Sequence, residues 1–223
     1  VNWTTILAEA ARRDCTLRSD QLARRFELSE RTVRNALRRY ESRGLVERIS
    51  PKLYLNHLNQ QCSLRDLVNV LRPKSCISLE SVMVERGITS QSPSALTCVT
   101  TGYPRSFQTS LGTVVYRRIS PGLYWGYEEK ATRYNKYLIA EPEKALLDWI
   151  YLSRQEGLPT PFDELELQFI NVVKLRGYAE RFPRTVQKAV NDLLLERAFW
   201  PGQAIDLVAP DPKPGATSRS PNL

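Results

Sequence analysis

Between residues 19 and 55 the apolar positions recur first at helical spacing and then in short β-prone runs. Leu22, Ala23 and Phe26 mark one helix opened by Ser19, and Glu27-Leu28 makes a short turn. Ser29 stands where a second helix needs its N-cap, and that helix runs over about residues 30–43 until Gly44 stops it. Within it Val33, Ala36, Leu37 and Tyr40 fall on one side and should be core. Two β-prone runs follow, residues 45–49 and 53–55, joined by Ser50-Pro51-Lys52. Upstream, residues 3–11 read as a further helix whose Ile6, Leu7 and Ala10 pack against Leu22, Phe26 and Leu37. Helix, tight turn, helix and hairpin predict a winged helix-turn-helix over residues 1–60.

Residues 56–61 are polar and without period, and read as a linker or the first turn of the next domain, with His57 a solvated loop residue. From 61 to 200 the pattern predicts a separate α+β unit. Residues 63–71 suggest a capped helix closed by Pro73, and residues 79–86 another closed by Gly87. Strand-like runs follow at 96–100, 106–109 and 113–119, the last two forming a hairpin across Leu111-Gly112. Further strands are expected at 123–127 and 137–140. Pro142 begins a strong helix to Leu152, and helices continue to about Phe199. The predicted class is therefore α+β: a winged helix-turn-helix, then a mixed α+β domain with an antiparallel sheet and C-terminal helices. Residues 201–223, rich in proline, are expected to be a flexible tail.

Charge sharpens the reading of the first unit. The chain carries a net +8, and residues 1–55 hold 12 Lys/Arg against 7 Asp/Glu, so +5 of it lies there. The outward side of the second helix carries Arg31, Arg34, Asn35 and Arg38. Arginine can bond guanine bidentately in the major groove and asparagine can do so for adenine, so these four are the candidate base readers. Ser29, Thr32, Arg39, Arg43 and Lys52 complete the candidate DNA-binding set, the last three mainly as phosphate contacts. Arg105, Arg117 and Arg118 form a second candidate surface, for a partner or nucleic acid.

Cys15, Cys62, Cys76 and Cys98 are scattered, with no Cys-x-x-Cys pair, and His57 is the only histidine. Free buried thiols are expected, with no metal site and no cofactor. The start shows no signal-peptide pattern and no apolar run is long enough to span a membrane, so a cytoplasmic location without a membrane partner is expected. The chain has no Gly-rich phosphate loop and no nucleophile–histidine arrangement, and no catalytic residue is expected.

Several strings in the second unit point further. In order they are Ser78-Leu79-Glu80-Ser81, Glu85-Arg86-Gly87-Ile88, Val99-Thr100-Thr101-Gly102-Tyr103-Pro104-Arg105, Gly112-Thr113 with Tyr116-Arg117, and Ile139-Ala140-Glu141-Pro142-Glu143-Lys144-Ala145-Leu146-Leu147-Asp148. Together they resemble the AbiEi family of antitoxins over most of residues 1–200. That resemblance implies a type IV toxin–antitoxin system. Its antitoxin represses its own promoter at inverted repeats and counteracts a nucleotidyltransferase-like toxin without a stable complex. Glu141 departs from the small residue or threonine expected before Pro-Glu-Lys. Read by itself, Lys144 with Asp148 is an i,i+4 pair worth a few tenths of a kcal/mol. The alternatives are a nuclease built on Glu128-Glu129-Lys130 with Asp148 and Asp163, and a stand-alone transcriptional regulator.

Overall fold

Asn2 accepts a hydrogen bond from the Thr5 amide and opens α1 (Trp3–Ala11), which buries Trp3, Leu7 and Ala11. β1 (Thr16–Arg18), α2 (Ser19–Arg25), α3 (Glu30–Glu41) and the hairpin of β2 (Val46–Ser50) and β3 (Leu53–Asn56) follow. The three strands pair antiparallel in the order β1-β3-β2. The helices close over them around Leu7, Leu17, Leu22, Val33, Leu37, Val46 and Tyr54. These positions come from a computed structural model, which describes residues 2–158 and 160–198. The tail expected at 201–223 lies outside the described residues. Ser19 departs from expectation: it is the first residue of α2 rather than its cap, and it is fully buried.

The second half is a six-stranded sheet with helices packed on it. Its elements are α4 (Leu64–Leu71), β4 (Ser75–Ile77), α5 (Glu80–Glu85), β5 (Leu96–Thr100), β6 (Arg105–Thr109), β7 (Gly112–Arg118), β8 (Tyr127–Ala131), β9 (Lys136–Ala140), α6 (Pro142–Glu156), α7 (Val172–Ala179) and α8 (Arg184–Ala198). The chain is thus α+β. The sheet order is β6-β7-β5-β4-β9-β8. It is mixed rather than antiparallel, because β5 pairs parallel with β7 and β4 parallel with β9. The expected strand at 123–127 is a 3₁₀ turn (Pro121–Leu123) and a loop, with β8 starting only at Tyr127.

Alternation along β7 separates the two faces of this sheet. Tyr116 is buried toward α4 and donates to the Val68 carbonyl at 2.7 Å. Arg117 points the other way and pairs with Glu156 of α6 at 2.7 Å. α4 is fixed at its start by Asp66, which accepts from the Ser63 amide at 2.9 Å and from the Ser63 hydroxyl at 2.7 Å. No helix among the described residues is long and apolar enough to cross a membrane.

The segment expected to be a linker or the first turn of the next domain is packed. Asn56 is fully buried and its amide donates to the Leu7 carbonyl at 2.8 Å, while Asn59 donates to the Asp14 carbonyl at 3.1 Å. A small core of Cys15, Leu55 and Leu67 lies where the two halves meet. Cys15 and Cys62 form a disulfide across it, so the expectation of four free thiols is corrected. Cys76 and Cys98 are free and buried, as expected.

Candidate nucleic-acid interface

α3 is built to present one face. Ser29 accepts from the Thr32 amide at 3.1 Å, and its hydroxyl also meets the Thr32 hydroxyl at 2.8 Å, so both residues fix the helix start. Val33 and Leu37 have no exposed surface and Ala36 almost none. Tyr40 is only half-buried, and its hydroxyl meets that of Thr4 at 3.1 Å. With that side anchored, Arg31, Arg34, Asn35 and Arg38 all stand exposed on the other.

The hairpin adds a residue that the periodicity of α3 could not supply. Arg48 on β2 pairs across the sheet with Tyr54, and the two line a shallow cleft of about 250 Å³ with Arg31, Arg34, Asn35, Arg38 and Glu41. Glu41 accepts from the Arg48 amide at 3.2 Å and so ties β2 to the end of α3. The cleft therefore holds four guanidinium groups and one amide against a single carboxylate. Strand alternation in residues 46–50 was the available signal, since Arg48 shares a face with buried Val46.

The other candidates fall around this face. Lys52, in the turn between β2 and β3, lies 3.4 Å from Glu30, which also approaches Arg34 at 4.0 Å. All three side chains are well exposed, and these surface pairs are weak enough to exchange for phosphate. Arg39 is exposed about a quarter-turn from the Arg31–Arg38 face. Arg43 lies beyond the helix with its guanidinium over the Tyr40 ring, 5.6 Å from the centroid.

The strand β2 is held from behind. Glu47 accepts from the Ser110 amide at 3.0 Å in the β6–β7 turn and meets His57 Nε2 at 3.2 Å. His57 Nδ1 lies 2.8 Å from the Gly44 carbonyl, so this histidine is a bridge and not a solvated loop residue. Partial burial works to raise the Glu47 carboxyl, but hydrogen bonds from Ser110 and His57 outweigh it and hold the group below its usual range.

Arg105, Arg117 and Arg118 do not form one surface. Arg117 is tied to Glu156 and lies 3.9 Å from Glu80, whereas Arg105 and Arg118 are exposed. The carboxylates of the nuclease alternative also separate. Glu128 and Glu129 are exposed on β8, where Glu129 pairs with Lys136 at 2.6 Å. Asp148 is sealed in the core beside Lys144, both without exposed surface. The expectation of a weak surface pair at Lys144 and Asp148 is therefore corrected.

Those two residues sit in a fully enclosed polar hub. Asp148 accepts from Lys144 and from the Ser78 hydroxyl at 2.9 Å. The Lys144 ammonium lies within 5.2 Å of the Trp125, Tyr127 and Phe182 ring centroids. Burial drives Lys144 below its ordinary range and raises Asp148 to about 6, against the opposing pull of each on the other. Glu143 accepts from the Asn171 amide at 2.9 Å, and Glu141 accepts from Lys174 at 2.9 Å and from the Tyr178 hydroxyl. The Glu-Pro-Glu-Lys string thus pins α6 to α7. No protein-family model matches the chain, and no curated protein matches it either.

Proposed function

We propose that the chain is a DNA-binding antitoxin of a type IV system, acting in the cytoplasm to repress its own operon and to counteract a nucleotidyltransferase-like toxin. The N-terminal three-helix unit serves as a winged helix-turn-helix, with α3 in the major groove and the β2–β3 hairpin as the wing. The observation that carries the DNA-binding part is the exposed face of Arg31, Arg34, Asn35 and Arg38 beside Arg48, backed by a helix side on which Val33, Ala36 and Leu37 are buried. Long donors on a rigid element are what base-edge readout requires. The antitoxin part rests on the motif strings that resemble the AbiEi family, and the second half of the chain is where neutralisation is assigned.

Gel shifts test the first part, using the duplex upstream of the chain's own gene and a scrambled duplex. The double variant Arg34→Ala/Arg38→Ala is expected to lose specific binding by tenfold or more while keeping most of its weak affinity for the scrambled duplex. Wild-type retention of operator binding by that variant would overturn the assignment of α3. Co-expression with the downstream gene tests the second part. Growth rescue is expected from the full chain and from the double variant alike, because neutralisation does not run through α3.

A further inference from the structure

The β6–β7 hairpin ends at a second cluster of cations, far from its turn. Register brings the ends of four neighbouring strands to this edge. Arg105 begins β6 opposite Tyr116, Arg118 ends β7 level with Thr100, and Ser75 begins β4 opposite Thr100 with Lys74 just before it. Neighbouring strands lie about 4.8 Å apart, so Lys74 and Arg105 are roughly 14 Å apart across the sheet and, being about three residues out of level, roughly 10 Å apart along it. Lys74, Arg105 and Arg118 are all exposed, and none of the three makes an ion pair among the described residues.

One aromatic residue lies in the loop that leads into β6. Tyr103 is 80% exposed, in the loop between β5 and β6. Its main chain is held firmly: Arg72 donates to the Tyr103 carbonyl, the Gly102 amide donates to Thr100 Oγ1 at 3.2 Å, and that hydroxyl donates to the Lys74 carbonyl at 3.1 Å. Pro104 stiffens the other side. A large ring thus faces water on a fixed backbone, with half-buried Arg72 bonded to its carbonyl and Lys74, Arg105 and Arg118 at the neighbouring strand ends.

We propose that this end of the sheet is a second nucleic-acid site, which takes an unpaired stretch of a few nucleotides. Tyr103 is the platform on which a base stacks, and Lys74, Arg105 and Arg118 hold the phosphates. Three observations select this ligand. A duplex offers a protruding ring no base face unless a step is unstacked, while an unpaired base offers one at no such cost. A protein partner would meet aromatic anchors inside an apolar, water-excluding patch, whereas the residues that follow Tyr103, namely Pro104, Arg105 and Ser106, are all exposed. A ring interleaved with cations is the combination that single-stranded sites use. The cluster also lies at the opposite end of β6 from Ser110, which contacts Glu47 of β2, so this site and α3 can be filled together.

The inference stands apart from the operator reading, and its test separates the two. The full chain carrying Arg34→Ala/Arg38→Ala, which removes specific reading by α3, is titrated by fluorescence anisotropy with oligo(U) and oligo(dT) 12-mers (about one short site each) and with a duplex of equal length and unrelated sequence. Single strands are expected to bind more tightly than the duplex, and a preference between the two 12-mers tells RNA from DNA. Tyr103→Ala is expected to weaken single-strand binding about tenfold, and Arg105→Gln/Arg118→Gln to weaken it and flatten its salt dependence. Unchanged binding in Tyr103→Ala would overturn the proposal, as would a duplex that competes equally. It also falls if Tyr103→Ala in the otherwise native chain abolishes operator binding, since the loop would then belong to the duplex site.

Discussion

Lys144 and Asp148 show what a single pair of side chains can hide. Four residues apart on a helix, they read from the sequence as a weak surface pair, because spacing says nothing of what packs over them. The enclosing groups, Ser78, Trp125, Tyr127 and Phe182, come from 66 residues before Lys144 to 38 after it. Val33 and Leu37 were legible by contrast, since a helix with four exposed donors on one side must bury the other. A buried ion pair costs desolvation on both partners, so removing one is worse than removing both. Lys144→Met and Asp148→Leu are each expected to lose about 3–5 kcal/mol, while the double variant recovers most of it, as read by urea unfolding. The pH dependence has a definite sign. Asp148 has a folded pKa raised to about 6, so its stabilising contribution is complete below about pH 4 and is lost as pH rises through 6. Lys144→Met takes away the cation that opposes this rise. Its deficit should therefore shrink at pH 5 relative to pH 8, and a deficit that grows on acidification would contradict the burial argument.

At the scale of elements, the strong periodic helices were readable and the three-residue strands were not. α1, α3 and α6 announce themselves by spacing and by the residues at their ends. β1 and β4 have no period of their own. β4 exists because β5 and β9 leave a gap that Ser75-Cys76-Ile77 fills, one neighbour antiparallel and the other parallel. The same neglect of pairing left Arg48 out of the candidate set. On β2, Arg48 reaches the cleft of α3, while Arg43 leans on Tyr40. If the cleft is the interface, Arg48→Ala should weaken operator binding about as much as Arg34→Ala, a loss of about 1–3 kcal/mol for a base contact and less for a phosphate. Arg43→Ala should change it little. Titrations of the three variants against one duplex decide this, and a larger loss at Arg43 than at Arg48 would move the interface toward the α1 side.

For the whole molecule the relation between the two halves matters most, and it was the least legible. The spacing of Cys15 and Cys62 gave no sign of pairing, because their approach depends on β1 meeting β3 and on the linker folding back. Their Cα atoms are 5.6 Å apart, and the bridge joins positions 47 residues apart in sequence. It closes β1 through β3, with α2 and α3 between them, into one loop, and the small core of Leu55 and Leu67 seals it. Glu47, His57 and Ser110 add a polar clasp on the far side of the β2–β3 hairpin. The orientation of α3 is thereby set relative to the second half, through which a second copy would have to cooperate at an inverted repeat. In the chain-entropy account, a loop of this length stabilises the fold by about 4 kcal/mol. Dithiol reduction, or Cys62→Ser, is expected to lower the unfolding temperature and to split one calorimetric transition into two, the reader melting first. The clasp and the Leu55–Leu67 contact remain, so operator binding at low temperature should survive reduction with little loss. Thiol titration in denaturant should find two reactive cysteines per oxidised chain. Four reactive thiols and a single, reductant-independent transition would show that the halves are coupled by packing alone.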